Sequence, residues 1–376
     1  MHLGLVAGEA SGDLLAAHLL AGLRQRWPAL HAFGIGGPKM AAQGFEAWWP
    51  SDQLAVRGYV EVLRHYRKLS AIRATLAKRL LQQRLQGFIG VDAPDFNLGL
   101  ELKLKAAGVK TVHFICPSIW AWRGGRARKM AASADHVLCL FPFEPELLRA
   151  HRVAATYVGH PLADAIPLQV PRQTSRQALG LYSSQPVVAV LPGSRRSEIQ
   201  AIGPHFFQAM ALLHQQRPDL LFVLPVAPGL RPLLEPLLQQ HAPAVPVRML
   251  DGQSHTALAA CDVTLIASGT ATLEAALFKR PMVIGYNMHP LSWQLMKRMR
   301  YQPWVGLPNI LCRDFVVPEL LQDECRAAPL AQATLRWLDD SASGDRLQHR
   351  FTELHHLLRC DTAHRATDAI AQVLQL

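Results

Sequence analysis

Short apolar runs alternate with amphipathic stretches along most of this chain. The apolar runs hardly alternate with polar positions, a pattern typical of parallel strands that helices cover on both faces. We predict strands at residues 109–115, 187–191, 220–224, 263–266 and 282–284. The spacing between the runs predicts helices at residues 14–27, 69–86, 206–217, 256–261 and 271–278. This βαβ rhythm in both halves indicates an α/β fold.

The two halves begin with the same design. Residues 3–13 and residues 187–198 each run from an apolar strand into a Gly-containing turn and then into a helical pattern. Ligands of α/β sheets bind at such turns, beyond the carboxyl ends of strands, where helix N-termini offer free N–H groups. With 376 residues, the chain also exceeds the roughly 250–300 residues that one core supports. We expect two Rossmann-like domains, at 1–165 and 166–340, that face each other across a cleft, joined by a linker at 159–171 and followed by helical patterns within 341–376.

The formal charge of +11 and the pI near 9.7 indicate an anionic partner. Residues 57–86 carry eight Arg or Lys against one Glu, interleaved with apolar positions. Such a stretch can lie on an anionic membrane surface, and Trp48 and Trp49 stand nearby. The alternative is an ordinary helix whose apolar side packs on its own sheet. No nucleic-acid-binding motif accompanies the charge, so we expect no nucleic acid partner.

Other functional classes lack their sequence signals. The six cysteines form no CxxC pair and no His/Cys ligand spacing, so we expect neither a zinc site nor a disulfide framework. The N-terminus lacks the basic region of a signal peptide, and no apolar run reaches the length of a membrane span. Residues 8–12 match neither GxGxxG nor a P-loop, which weakens dehydrogenase and NTPase interpretations.

Turns in the second half suit phosphate. The turn at 192–195 joins a strand to a helix, so its N–H groups, Gly193, Ser194 and the Arg195 guanidinium could bind a diphosphate. A simple left-handed turn with a solvated arginine is the alternative. Residues 268–274 repeat the arrangement after the next predicted strand. There Glu274 could accept hydrogen bonds from ribose hydroxyls, or could merely favour the first turns of a helix that Ser268 or Thr270 caps.

Two carboxylates in the first half, Asp92 and Asp95, lie at a strand end just before a helix. Either could act as a general base. A helix cap with a second acid in the first turn explains Asp95 better than Asp92, so Asp92 is the stronger candidate. The Gly-rich turn at 34–38 lacks the spacing of a dinucleotide site and is interpreted as structural.

An ordered set of motifs extends over nearly the whole chain. It comprises LVAGEASGD at 5–13, VDAPDFN at 91–97, PSIWAWR at 117–123, FPFE at 141–144, LPGSR at 191–195, ASGTATLE at 267–274, PMVIGY at 281–286 and LPNIL at 307–311. This set resembles the lipid-A-disaccharide synthase family of glycosyltransferases with GT-B architecture.

The resemblance implies a reaction and its partners. UDP-2,3-diacylglucosamine would donate its sugar, with inversion and without metal or other cofactor, to the 6-hydroxyl of 2,3-diacylglucosamine 1-phosphate. The enzyme would then work on the cytoplasmic face of the inner membrane, docked through residues 57–86. The C-terminal helices would return to the first domain and could be exchanged in a homodimer.

The resemblance also gives roles to individual residues. Asp92 matches the proposed base, and Glu9, Ser11 and Gly12 lie in the acceptor-side turn. Residues of the second half would bind the diphosphate, the ribose and the donor sugar. These residues are Gly193, Ser194, Arg195, Ser268, Gly269, Thr270, Glu274 and Asn309. Two alternatives remain open: another GT-B enzyme using UDP-N-acetylglucosamine, such as a peptidoglycan glycosyltransferase or a UDP-sugar 2-epimerase, and a nucleotide-sugar-binding protein without turnover.

Overall fold

The computed structural model describes residues 1–54, 59–120, 125–288, 290–299 and 301–376. The chain divides into two compact units, Met1–Asp164 with Leu358–Leu376, and Ala165–Leu357. Each unit contains one wholly parallel sheet with helices between its strands, so the predicted α/β class is confirmed. No helix within these ranges has both the length and the apolar character needed to cross a bilayer.

The first unit holds a seven-stranded sheet in the order β3-β2-β1-β4-β5-β6-β7. Its strands are β1 (His2–Ala7), β2 (His31–Gly36), β3 (Glu46–Pro50), β4 (Gly87–Val91), β5 (Thr111–Phe114), β6 (His136–Cys139) and β7 (Ala155–Tyr157). Its helices are α1 (Glu9–Arg26), α2 (Pro38–Ala42), α3 (Tyr59–Leu81), α4 (Pro94–Ala106), α5 (Arg126–Ser133), α6 (Glu144–Arg149) and, at the end of the unit, α7 (Pro161–Ala165).

The second unit holds a six-stranded sheet in the order β10-β9-β8-β11-β12-β13. Its strands are β8 (Val187–Leu191), β9 (Leu221–Val226), β10 (Val247–Asp251), β11 (Val263–Ala267), β12 (Met282–Tyr286) and β13 (Glu319–Leu321). Its helices are α8 (Arg172–Ala178), α9 (Arg196–Gln216), α10 (Arg231–His241), α11 (Ser254–Ala260), α12 (Thr270–Leu277), α13 (Pro290–Met299), α14 (Leu307–Cys312), α15 (Ala327–Asp339) and most of α16 (Ser341–Leu358).

Several predicted helices have different bounds in the structure. Helix α9 begins ten residues before the predicted start at 206, because a buried face that includes Ile199 and Ile202 carries the helix through Pro204. Helix α3 ends at Leu81 rather than at 86, and Arg84 then adopts a left-handed backbone in the turn that leads into β4. The predicted linker at 159–171 contains α7.

The Gly-rich turn at 34–38 is organised by a buried carboxylate. Asp13 of α1 accepts hydrogen bonds from the backbone N–H groups of Gly37, Lys39 and Met40, at 2.9–3.0 Å. A Cβ on Gly37 would lie 2.5 Å from an oxygen of Asp13, so only glycine allows this approach. The turn at 34–38 therefore holds α1 against α2, which agrees with the prediction that this turn has a structural role.

The last helix, α17 (Thr362–Leu374), packs against α1 in the first unit. Asp164 accepts hydrogen bonds from the N–H groups of Cys360, Asp361 and Thr362, which satisfies donors at the start of α17. Residues 341–357, which the sequence pattern groups with the returning helices, belong instead to the second unit. Exchange of C-terminal helices between two copies remains a prediction from the resemblance.

Candidate active site

Two turns meet at the carboxyl edge of the first sheet. Strands β1 and β4 are neighbours, so the turn with Glu9 and the turn with Asp92 follow adjacent strand ends. The turns are in contact, since a Cβ on Gly8 would lie 3.1 Å from the Cβ of Ala93. Glu9, Asp92 and Ala93 all have positive φ, between 43° and 61°. Non-glycine residues adopt this conformation rarely, and such backbone strain clusters at functional sites.

Asn97 of α4 supports the turn that carries Asp92. Its amide nitrogen donates to the carbonyl oxygens of Asp92 at 2.8 Å, Val91 at 3.2 Å and Val6 at 3.3 Å. The bond to Asp92 reaches its backbone carbonyl, so it fixes the position of the residue and leaves the carboxylate free of Asn97. Burial raises the pKa of Asp92, against the charge of His113, the N–H of Ala93 and the charge of Arg126. A carboxylate with a raised pKa accepts a proton more readily, as a general base requires.

The second carboxylate, Asp95, has a different environment. Its side chain is 81% exposed and both of its oxygens accept from Arg126 at 2.7 Å. Arg73 also donates to its backbone carbonyl at 2.9 Å. Asp95 therefore belongs to a surface ion pair, which makes Asp92 the better candidate for the base.

The remaining acceptor-side candidates lie in the first turn of α1. Ser11 is exposed, whereas Gly12 is buried beside Ala7 and the carbonyl of Val91, at 3.7 and 3.9 Å from an added Cβ. The sheet order thus brings Glu9, Ser11 and Gly12 to the same edge as Asp92.

The corresponding edge of the second sheet carries the two predicted phosphate turns. Strands β8 and β11 are paired, so residues 192–195 and 268–270 follow neighbouring strand ends. Gly193 has φ of 123°, and a Cβ there would lie 2.8 Å from Glu198. Glu198 accepts from the N–H of Ser194 at 3.1 Å and forms an ion pair with Arg195. The Glu198 carboxylate is therefore bound to the same groups, the Ser194 N–H and the Arg195 guanidinium, that are predicted to bind a diphosphate.

Helix α12 begins in the second of these turns. Gly269 and Thr270 are exposed, and the hydroxyl of Ser268 donates to the carbonyl of Val305 at 3.4 Å. One turn further along, Glu274 is partly buried and lies 3.4 Å from the imidazole of His255. The structure therefore places all four residues of the predicted phosphate and ribose site on one helix end.

Asn309 is fully buried in α14. Its amide donates to Val317 O at 2.9 Å and to Glu319 at 2.8 Å, and its oxygen accepts from Val317 N at 3.0 Å. Glu319 also accepts from the N–H groups of Val305 and Gly306. Asn309 thus anchors the segment that leads from β12 to β13, and its contact with donor sugar remains a prediction.

The fold brings together three potential metal ligands that are distant in sequence. The side chains of Cys116, Cys139 and Glu144 are buried, and their ligand atoms lie within 4.8 Å of one another. Both carboxylate oxygens already accept N–H donors, from Phe141 and Trp120, each at 3.0 Å. Burial raises the pKa of Glu144 to about 8. Protein groups therefore satisfy this cluster, and packing is a sufficient explanation for it.

The basic stretch packs partly on its own sheet. Ile72, Leu76 and Leu80 of α3 are buried in a cluster on that sheet. Trp48 stacks on Phe33 at 4.7 Å and has the Arg79 guanidinium 3.8 Å over its ring. Ordinary helix packing therefore describes residues 72–80. Position 57 and the side chains of residues 59–66, including that at position 64, lie outside the described residues.

This chain shares its fold of two parallel sheets with solved GT-B glycosyltransferases and sugar-nucleotide epimerases. A UDP-GlcNAc 2-epimerase from Neisseria meningitidis, solved with UDP-GlcNAc, has a TM-score of 0.68 over 100% of both chains, at 12% identity. MurG from Acinetobacter baumannii has a TM-score of 0.57 over 100% of this chain and 99% of its own, at 15% identity. These similarities confirm the predicted fold.

The chain belongs to the lipid-A-disaccharide synthetase family, whose model matches residues 3–371. The lipid-A-disaccharide synthase of Albidiferax ferrireducens is 58% identical over 100% of this chain and 98% of its own. That of Verminephrobacter eiseniae is 57% identical over 100% and 97%. The chain is therefore a glycosyltransferase of lipid A biosynthesis, and the predicted family is confirmed.

Several residues of these sites were not predicted from the sequence. Glu101 and Glu319 act through contacts between segments that the fold brings together, whereas Asn97 and Glu198 bond backbone groups five and four residues away. Asn97 lies within the VDAPDFN motif, which was the one available signal. For His113, the available signal was its place at the end of a predicted strand, next to the PSIWAWR motif.

Proposed function

We propose that the chain transfers the sugar of UDP-2,3-diacylglucosamine to the 6-hydroxyl of 2,3-diacylglucosamine 1-phosphate, releasing UDP and a β(1→6)-linked tetraacyl disaccharide 1-phosphate. Its family membership supports a nucleotide-sugar donor and a phosphorylated sugar acceptor. The observation that carries the proposed chemistry is Asp92, a carboxylate with a raised pKa on a strained turn at a strand end.

In this mechanism Asp92 removes the proton from the acceptor hydroxyl as its oxygen attacks the anomeric carbon. Attack from the face opposite UDP forms one C–O bond and breaks another, so the configuration inverts once. Glu9, Ser11 and Gly12, at the same sheet edge, would bind the acceptor.

The second unit would hold the leaving group. Arg195 and the N–H groups of residues 193–194 would bind the diphosphate and offset the charge that develops as UDP departs. Diphosphate would then replace the Glu198 carboxylate as the partner of Arg195. The turn at 268–270 would contribute further N–H donors, and Glu274 would accept hydrogen bonds from the ribose hydroxyls. Asn309 would line the donor site.

Acyl-chain dependence tests the proposed substrates directly. We expect the purified protein to form disaccharide from UDP-2,3-diacylglucosamine and to form none from UDP-N-acetylglucosamine, with disaccharide and UDP measured by mass spectrometry. Disaccharide formed from UDP-N-acetylglucosamine, which lacks the two long acyl chains, would overturn the proposed specificity. Conversion of UDP-N-acetylglucosamine to its 2-epimer would indicate an epimerase instead.

We also propose that the enzyme docks on an anionic membrane surface, on the cytoplasmic face of the inner membrane, through α3. Arg67 and Lys68 are exposed on this helix, beside the segment that packs on the sheet. A basic side chain near an anionic bilayer contributes about 1 kcal/mol to binding. Diacylated substrates reside in a bilayer, so a basic surface on α3 would bring the enzyme to its substrates.

The docking proposal can be tested with two double variants of equal charge. Replacement of Arg67 and Lys68 by Glu should release the protein from phosphatidylglycerol vesicles at low salt in a sedimentation assay. The control replaces Lys103 and Lys110, which are exposed elsewhere on the first unit, by Glu. Equal release by both double variants would mean that total charge, rather than α3, determines binding.

A further inference from the structure

A buried imidazole–carboxylate pair lies near the turn that carries Asp92, the proposed base. His113 of β5 and Glu101 of α4 are both 0% exposed, and Nδ1 of His113 lies 2.7 Å from Oε1 of Glu101. Charged residues are almost never fully buried without a partner, so two such groups in contact form one electrostatic unit.

The sheet register places this pair next to Asp92. His113 is the cross-strand partner of Gly90, and Asp92 follows Gly90 by two residues, with its N–H bonded to the carbonyl of Phe114. A Cβ on Gly90 would lie 2.0 Å from Oε1 of Glu101. A glycine at position 90 therefore makes room for the Glu101 carboxylate over the end of the strand that leads to Asp92.

One ring nitrogen of this pair is unused. Nε2 of His113 is buried and has no hydrogen-bond partner among the described residues, and Oε2 of Glu101 is in the same condition. A buried polar atom without a partner is unfavourable and requires an explanation. With Glu101 bound at Nδ1, Nε2 is the ring position that would carry the second proton of an imidazolium.

The charges around the pair favour an imidazolium. Burial lowers the pKa of His113, but the charge and hydrogen bond of Glu101, with the charge of Asp92, outweigh it and raise the pKa above its usual range. The charged groups that act on Asp92 are His113 from β5 and Arg126 from α5. Of these, Arg126 is already bound to Asp95.

We propose that Glu101 and His113 are positioning residues that keep a positive charge near Asp92, so that its carboxylate stays ionised for the acceptor hydroxyl. Glu101 holds the proton on His113, and His113 offsets the burial of Asp92. This inference rests on the proposed role of Asp92 as the base.

The pH dependence of kcat/KM tests the pair, because its acidic limb reports the base of the free enzyme. His113→Gln removes the positive charge, so Asp92 binds its proton more tightly and the acidic limb should move up by about 1–3 pH units. Activity should recover at alkaline pH. Glu101→Gln should move the limb in the same direction, and the double variant should move it no further than His113→Gln, since the residues act as one unit.

His136→Gln is the matched control. His136 lies on the neighbouring strand β6, is half-buried and bonds to Thr156 at 2.8 Å. Its replacement should leave the acidic limb unchanged. An unchanged limb in His113→Gln, or an equal loss of rate at every pH, would overturn the proposal, because the latter is the result of a purely structural defect.

A readout without turnover separates this inference from the proposed reaction. Nitrogen NMR of the histidine rings should show both nitrogens of His113 still protonated above the usual imidazole pKa of about 6.5 in the native chain, and a neutral ring in Glu101→Gln at the same pH. A neutral ring in the native chain would refute the pair even if disaccharide forms. A charged ring with no disaccharide from any acylated donor would instead refute the proposed reaction.

Discussion

Replacing Asp92 by Asn should abolish most of the turnover while leaving the fold intact. The support from Asn97 reaches the backbone carbonyl of Asp92, so it survives a change of side chain. The lost interaction is then the proton transfer itself. A general base contributes about 10²–10⁴-fold, which corresponds to roughly 2.7–5.4 kcal/mol of activation free energy. We therefore expect Asp92→Asn to lower kcat by about 10²–10⁴-fold.

The pKa of Asp92 adds two signatures. Because burial raises this pKa, the acidic limb of the native enzyme should lie above the usual value near 3.9. Rate falls as pH drops below the limb, where the base is protonated. A raised carboxyl pKa also means that the folded state loses stability as pH rises through it. The substitution Asp92→Asn removes that charge, so the variant should melt no earlier than the native protein at pH 8.

Asp95→Asn is the matched control, with the same chemical change three residues away. Asp95 is exposed and bound to Arg126, and a surface pair contributes about 0–1 kcal/mol. Its kcat should stay close to native. Initial rates of UDP release, with disaccharide followed by mass spectrometry, measure both variants. Near-native turnover of Asp92→Asn, or an equal loss in Asp95→Asn, would refute the assignment of the base.

Three further predictions concern the sheet edges. Arg195→Ala should lower kcat by about 10²-fold, because charge on departing UDP loses its partner; an effect on donor KM alone would limit Arg195 to ground-state binding. Gly193→Ala should weaken UDP binding in calorimetry, since its Cβ would lie 2.8 Å from Glu198, whereas Gly229→Ala, also at positive φ but without a neighbour within 4 Å, should not. Asp13→Ala should lower the free energy of unfolding by about 3–5 kcal/mol in urea melts, since three N–H groups lose a charged acceptor; a loss below about 1 kcal/mol would contradict that role.

Among the elements that the sequence predicted, the bounds of the strands agree with the structure more closely than those of the helices. The all-apolar run at 187–191 coincides with β8, all of whose residues are buried. Helix ends depend on contacts that local sequence does not contain: α1 begins at Glu9, whose left-handed backbone no pattern indicated, and α9 continues through Pro204. A buried face extends α9 beyond its predicted start, and the backbone turn at Glu9 sets the start of α1.

Part of the candidate site could also be predicted from the sequence, and part of it could not. Asp92 could be favoured over Asp95 because a carboxylate that caps or begins a helix has a simple structural explanation, and the exposed ion pair of Asp95 agrees with that argument. The contact between Glu101 and His113 joins a helix to a neighbouring strand. Such a contact needs the register of β4 and β5, which sequence periodicity does not supply.

The stereochemistry of the product formed without divalent metal tests the proposed reaction most directly. The native protein, UDP-2,3-diacylglucosamine and 2,3-diacylglucosamine 1-phosphate would be incubated in detergent with EDTA, and the new linkage read from the anomeric proton coupling by NMR. We predict a β(1→6) disaccharide formed at a rate that EDTA does not change, since Asp92 and Arg195 carry the proposed chemistry. An α-linked product, UDP release without disaccharide, or a rate restored only by added Mg²⁺ would contradict it.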